Sequence, residues 1–119
     1  NLRDKDISQA FSNLFNAYSK AINKAYQRNG SLFRDRLSRI KIQNEDYLKS
    51  VIIYINTNAV HHGFTDSIEN YKHCSYLTLI SDKHTLLDRD RVIELFDNKE
   101  NFKVVIKQKQ GIIEALTLE

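Results

Sequence analysis

The chain has 119 residues, a mass of 14.0 kDa and a net charge of +3, which is the size of one ordinary domain or of a piece of a larger one. Its 41% apolar and 28% charged residues are typical of a globular protein and argue against a disordered chain. The single cysteine excludes an internal disulfide and a multi-cysteine zinc site, and no apolar run is long enough for a membrane span. We therefore expect no membrane partner and a location in the reducing cytoplasm.

Long helices are predicted because the chain has no proline and only three glycines. The first helix is predicted from about Ile7 to Asn29, since apolar residues recur every three or four positions along it. Asp6 is predicted to cap its start, with Gln9 completing a capping box, and Asn29-Gly30 to end it in left-handed backbone. The apolar face is broad, and we interpret it as core.

Residues 20–41 carry a dense block of positive charge. They hold seven bases and one acid, a net charge of +6, so that the rest of the chain has a net charge of −3. Such an uneven distribution favours a polyanion partner, although a solvated basic face is an alternative. The predicted DNA-binding residues are six bases of this block, namely Lys24, Arg28, Arg34, Arg36, Arg39 and Lys41. With Tyr26 and Phe33 interleaved, the block suits a single strand held by charge and by base stacking.

The segment after the first helix has a different pattern. From Arg39 to Gln43 apolar and polar residues nearly alternate, which predicts at most a short strand near residues 37–43 or an extended arm. A single strand needs a partner from another segment or chain.

The rest of the chain is predicted to be helical. Asn44 is a good cap for a second helix, and Gly63 breaks that helix after two histidines. A third helix is predicted after Asp88 and a fourth from about Lys99 to Leu116. The predicted fold class is therefore mainly α.

One stripe of the second helix has the spacing of a reactive site. Tyr47, Val51, Tyr54 and Asn58 lie three or four residues apart, so they share a face. A tyrosine oxygen beside an amide that can bind a cation suits covalent attack on a phosphate. The alternative is a tyrosine at the edge of a core helix whose ring only packs.

Read in order, several motifs resemble a known family. The runs Phe11-x-x-Leu14-Phe15-x-x-Tyr18, Ile22-Asn23-x-x-Tyr26 and Arg28-x-Gly30-Ser31-Leu32-Phe33-x-x-Arg36 resemble the second half of a REP-associated tyrosine transposase. The runs Tyr47-Leu48 and Tyr54-Ile55-x-x-Asn58-x-Val60-x-His62-Gly63 continue the resemblance, and Tyr71 followed by Ser75-Tyr76 is similar to the family's closing Ser-Ser-Tyr element. The similarity covers residues 7 to 80.

The resemblance implies a single-tyrosine HUH transposase that acts on single-stranded or hairpin DNA. It implies that Tyr54 is the nucleophile, which forms a 5′-phosphotyrosine link to DNA. It also implies that Asn58 helps to hold a divalent cation, Mg²⁺ or Mn²⁺, together with two histidines of a central strand. Family enzymes are dimers, so the resemblance implies a homodimer.

This chain departs from the family pattern in two places. Asn58-Ala59-Val60 stands where the family usually has Asn-Pro-Val, and no His-hydrophobe-His motif occurs anywhere in the chain. The ferredoxin-like sheet that carries those histidines would precede Asn1. Because the chain also lacks methionine, we expect it to be cut from a longer protein.

We therefore expect the helical C-terminal portion of an α+β transposase, a single-domain fragment over residues 1–119. Residues 1–80 would form the tyrosine-helix part and residues 81–119 a helical extension. Without the histidines, attack on phosphate loses its Lewis acid. The fragment is expected to be inactive alone and to bind no metal tightly, whereas its parent is an enzyme.

Two other classes of function stay open. One is a non-catalytic DNA-binding or regulatory module in which Tyr54 only packs. The other is a helical protein-interaction module in which the basic block serves solubility. A chain that lacks its sheet half would also leave apolar surface on the first helix and on residues 32–42, so we expect a dimer or higher oligomer that buries it.

Overall fold

The computed structural model describes residues 3–117. These residues form the helices α1 (Asp4–Ala25), α2 (Glu45–His61), α3 (Tyr76–Ile80), α4 (Arg89–Leu95) and α5 (Lys99–Thr117), with a 3-10 turn at Ile68–Asn70. Because this part of the chain contains helices and no strand, the prediction of a mainly α fold is confirmed. Within residues 3–117, no helix is both long enough and apolar enough to cross a bilayer.

The chain divides into two compact units, one ending at Lys41 and one beginning at Ile42. The first unit contains α1 and the segment 30–41, which we call the arm. The second contains α2 and every later helix. This division concerns packing, and the boundary after residue 80 that the sequence predicted from its resemblance stays a prediction.

Residues 37–43 contain no regular secondary structure in the described chain. The alternating pattern there predicted at most a short strand or an extended arm, and the structure has an arm without a strand. A strand requires a hydrogen-bonded neighbour, and residues 3–117 contain no other strand to provide one.

The ends of α1 differ from the prediction. The helix begins at Asp4, and Asp6 lies in its first turn, where it pairs with Arg3 at 3.1 Å instead of capping. Gln9 donates a hydrogen bond to the side chain of Asn13 at 2.9 Å, so no capping box forms. Helix α1 ends at Ala25, before the predicted Asn29, and Gln27 takes a positive φ of 50°.

The early end of α1 has a cause in the residues that follow it. The side chain of Asn23 donates to the carbonyl oxygen of Gly30 at 3.0 Å and accepts a bond of 3.0 Å from Arg28. These bonds fold the chain back against α1 and replace a further helical turn. Gly30 has a φ of 86°, which glycine adopts without steric cost.

The apolar face of α1 is not core, and this interpretation of the sequence was wrong. No residue of α1 is buried, and the side chains of Leu14 and Tyr18 are 59% and 53% exposed. The first unit is too small to enclose the face, since small units bury a smaller fraction of their surface. The arm packs along one side of α1 only, where Phe15 is half-buried.

Helix α2 begins as its sequence predicted. The side chain of Asn44 accepts a hydrogen bond from the backbone N–H of Tyr47 at 2.8 Å, which satisfies one of the free donors of the first turn. The helix ends at His61, and Gly63 follows with a φ of 74°. Asn56, Thr57 and Val60 are buried, and they define the inner face of α2.

The core of the second unit lies among α2, α3, the 3-10 turn and α5. Its buried apolar side chains are Val60, Ile68, Tyr76, Leu79, Phe96, Phe102, Ile106 and Ile113. The ring of Phe102, which is 0% exposed, lies 5.1 Å from the ring of Phe96 and 5.9 Å from that of Tyr76. Helix α5 buries Phe102 and Ile106 on one face, because residues four apart share a side of a helix.

Polar side chains connect the elements of this core. The buried amide of Asn56 donates to the carbonyl oxygen of Ile52 at 3.0 Å and accepts a bond of 2.9 Å from the hydroxyl of Ser75. The side chain of Gln110 on α5 accepts a bond of 3.1 Å from the backbone N–H of Ile68. Satisfied in this way, these groups fix the position of α2 and of the 3-10 turn without the cost of an unpaired polar atom.

The stability of the second unit is expected to depend on pH through Glu69. A hydrogen bond from Ser67 is the largest cause that lowers the pKa of Glu69 from its ordinary value of 4.5, and Lys107, 3.5 Å away, adds to it against the opposing effect of burial. A lowered pKa in the folded state stabilises the fold above the ordinary pKa, and this contribution is lost as the pH falls below it.

We therefore expect the urea midpoint of the wild type to fall as the pH drops below 4.5 and to fall less in Glu69→Gln. Glu94 is exposed and has no ion pair within residues 3–117, so Glu94→Gln is the control and keeps the wild-type dependence. Equal pH dependence in Glu69→Gln and wild type would contradict the assignment.

Candidate functional site

Tyr54 lies on the outer face of α2. Its side chain is 55% exposed, whereas Asn56 and Thr57, the second and third residues after it, are each 2% exposed. Successive residues of a helix are rotated by about 100°, so Asn56, which is bonded to Ser75 in the core, lies nearly opposite Tyr54 on α2. The ring of Tyr54 is therefore not part of the core, and its hydroxyl is accessible from solvent.

Asn58 follows Tyr54 by one helical turn and is half-buried. Its side-chain oxygen Oδ1 is enclosed and has no hydrogen-bond partner among the described residues. Helical spacing predicts that this amide shares the exposed face of Tyr54, and the structure encloses its oxygen instead. A buried polar atom without a partner costs about 1–3 kcal/mol, so a donor or a cation at this oxygen would stabilise the protein.

An amide oxygen is a suitable ligand for a divalent cation such as Mg²⁺. Asn58 therefore fits the place of one ligand. Residues 3–117 contain no group of three or more His, Cys, Asp or Glu side chains that would complete a metal site.

Two of the six predicted DNA-binding residues have structural contacts within the first unit. Arg28 donates to the side chain of Asn23. Arg39 donates to the carbonyl oxygen of Asp4 at 2.8 Å and to the hydroxyl of Ser8 at 2.9 Å. Arg39 therefore fastens the end of the arm to the start of α1.

The other four predicted DNA-binding residues are exposed. Their side chains form neither a hydrogen bond nor an ion pair within residues 3–117; they are Lys24, Arg34, Arg36 and Lys41. All of them belong to the first unit. Their charges are therefore available to a polyanion, while Arg28 and Arg39 also hold the surface in shape.

A groove of about 670 Å³ lies between α1 and the arm. Its α1 wall carries four short polar side chains, Ser8, Ser12, Asn16 and Ser19, together with Phe15. Phe33 and Arg36 are among the residues of its arm wall. This groove was not predicted from the sequence, although its polar residues recur at helical spacing beside the apolar face of α1.

Comparison of the chain with protein-family models, with curated proteins and with solved structures gives no match. A functional assignment therefore depends on the residues and geometry described above. The features available for it are the exposed Tyr54, the unpaired oxygen of Asn58, the basic first unit and the groove.

Proposed function

We propose that this chain is the DNA-binding, tyrosine-bearing part of a transposase that cleaves and rejoins single-stranded DNA through a 5′-phosphotyrosine intermediate. The observation that carries the proposal is the exposed Tyr54 one turn before the unpaired amide oxygen of Asn58. This arrangement supports a role in attack on a phosphate better than a packing role, because the Tyr54 ring lies outside the core.

The proposed reaction needs little from the protein beyond position and charge. The Tyr54 oxygen bonds to phosphorus and the bond from phosphorus to the 3′ oxygen breaks, which leaves a free 3′-hydroxyl that takes up the phenolic proton. Attack by another 3′-hydroxyl on the phosphotyrosine reverses the step and rejoins a strand. A divalent cation, Mg²⁺ or Mn²⁺, supplies charge neutralisation at the phosphate when bound. In this proposal Asn58 and histidines outside this chain would hold the cation, and the Asn58 side chain would turn its enclosed oxygen outward to do so.

The proposed partner is single-stranded or hairpin DNA. The exposed guanidinium groups of Arg34 and Arg36 suit phosphate oxygens, and Phe33, 40% exposed, offers a ring for base stacking. We place this activity in the cytoplasm, where the one free cysteine, Cys74, stays reduced.

A covalent-adduct assay tests this proposal. The proposed full-length transposase, in which a histidine-bearing part precedes this chain, is incubated with end-labelled single-stranded DNA that carries hairpins, in Mn²⁺, and is resolved on a denaturing gel. A labelled band at the mass of the protein is expected, and this chain alone is expected to bind DNA without forming it. A longer protein that binds the DNA and forms no adduct would contradict the catalytic part of the proposal.

We also propose that a second copy of the protein covers the apolar face of α1. Phe11, Leu14 and Tyr18 lie on that face and are 41%, 59% and 53% exposed, which is an unusually apolar surface for a solvated helix. A helix face that meets its own copy about a two-fold axis is self-complementary, and paired helices of this type are common in dimers.

A charge placed on that face is expected to make the protein monomeric. Leu14→Lys puts an ammonium group into the proposed contact, where its burial without a partner is unfavourable. Gln9→Lys adds the same charge on another face of α1 and should leave the dimer intact. Sedimentation and light scattering at high concentration measure the difference, and a monomeric wild type would contradict the dimer.

A further inference from the structure

The groove of the first unit has a wall of polar side chains with unused hydrogen-bonding capacity. Ser12, Asn16 and Ser19 follow one another at spacings of four and three residues, so they line one side of α1. Within residues 3–117, none of these three side chains has a hydrogen-bond partner. The amide of Asn16 presents both a donor and an acceptor to the groove.

The groove also contains an aromatic surface. The rings of Phe15 and Phe33 meet edge to face, with centroids 4.8 Å apart and an angle of 71° between their planes. The ring of Tyr18 lies 6.2 Å from that of Phe33. This contact holds Phe33 in place while 40% of it stays exposed, and a held, exposed ring is a surface on which a flat group stacks.

The charges around the groove favour an anionic ligand that also carries polar edges. Arg36 lines the groove and is exposed, and Arg34 lies two residues before it. Asp35 is the one acidic side chain in the lining, and its carboxylate accepts hydrogen bonds from amino groups. A nucleotide matches this set, because it joins a phosphate to a base with amino and ring-nitrogen groups at its edge.

The size of the groove is suited to one nucleotide of a strand. Its volume of about 670 Å³ lies within the range of roughly 300–1,000 Å³ of ordinary small-ligand pockets. The groove is open on the solvent side of α1 and the arm, so a strand passing over the basic surface can place one base in it. A paired base is shielded within a duplex, whereas an unpaired base presents its edges and faces.

We propose that this groove binds one unpaired adenine of a DNA strand. The amide of Asn16 accepts from N6 and donates to N7 of the adenine, whereas the corresponding edge of thymine has an acceptor and a methyl group and no donor. Phe33 stacks on the base, and Arg36 contacts the neighbouring phosphate. The site rests on the proposed binding of single-stranded DNA and adds to it a preference for one base.

Fluorescence anisotropy with two oligonucleotides tests the site. One is an all-thymine strand, and the other is the same strand with a single central adenine. The wild-type chain is expected to bind the adenine strand about tenfold more tightly, because one bidentate contact to a base gives a preference of about this size. Asn16→Ala should remove this preference and leave the affinity for the all-thymine strand unchanged.

The matched control is Asn13→Ala, which removes another exposed amide from α1 outside the groove and should keep the preference. Alanine is favourable in a helix, so both variants are expected to fold. Equal affinity of the wild type for the two strands would overturn the adenine site while leaving single-stranded DNA binding intact. Failure to bind either strand would overturn both. Competition by free dAMP as strong as by the adenine strand would assign the groove to a free nucleotide and overturn the proposal.

Discussion

In the proposed full-length transposase, Tyr54→Phe is expected to abolish the covalent DNA adduct and to leave DNA affinity nearly unchanged. Only the attacking oxygen is removed, and the ring that remains lies on an exposed face of α2. A denaturing gel with labelled single-stranded DNA measures the adduct, and anisotropy measures the affinity. An adduct that persists in Tyr54→Phe would mean that another residue is the nucleophile.

Tyr47 provides the control for this experiment. It lies two turns earlier on the same stripe of α2 and is 43% exposed, so Tyr47→Phe makes the same chemical change at a comparable position. The adduct of Tyr47→Phe is expected to equal that of the wild type. Asn58→Ala is expected to slow adduct formation and to raise the concentration of Mn²⁺ that it requires, because the proposed cation would lose one oxygen ligand.

Replacement of Arg34, Arg36 and Arg39 together by alanine is expected to abolish most binding of single-stranded DNA. Neutralisation of each phosphate releases counterions, so the slope of log affinity against log salt should also become shallower, by about 0.7 for every phosphate of a single strand that is no longer neutralised. Titrations at several salt concentrations measure both quantities. Unchanged affinity would mean that the surface formed by these three arginines does not bind DNA.

The three arginines contribute in different ways. Arg34 and Arg36 have no ion pair within residues 3–117, so their double substitution removes charge and leaves the described hydrogen bonds of the first unit in place. Arg39→Ala also releases the arm from Ser8 and Asp4. A double substitution of Lys72 and Lys109, exposed bases outside residues 20–41, is the control for the removal of two charges and should have little effect.

Features that depend on residues close together in the sequence, such as helix caps and helix ends, could be predicted. Asn44 caps α2, Gly63 follows its end, and the buried Phe102 and Ile106 have the helical spacing that predicted α5. The start of α1 was missed because Arg3 pairs with Asp6 and thereby takes it out of the capping role. Periodicity identified the apolar face of α1 and gave no information on whether the protein has a neighbour to cover it.

The candidate site was predictable to a similar degree. Helical spacing placed Tyr54 and Asn58 one turn apart, whereas the enclosure of the Asn58 oxygen depends on packing that no local pattern encodes. The groove depends on the bond of Arg39 to Ser8, which joins residues 31 positions apart in the sequence. The helical spacing of the polar residues on α1 is visible in the sequence. That these residues line a groove is known only from the position of the arm beside them.

The buried bonds of Asn56 and Gln110 have a consequence for protein engineering. The outward orientation of Tyr54 is maintained by the bond between Asn56 and Ser75 and by the packing of α2 on α5, a helix much further along the chain. A peptide of α2 alone would expose the inner side of the helix, including Val60. It would also lack the contacts that determine which face of the helix is exposed. The tyrosine helix is therefore not a transplantable module, and a graft onto another scaffold would have to carry Ser75 and α5 with it.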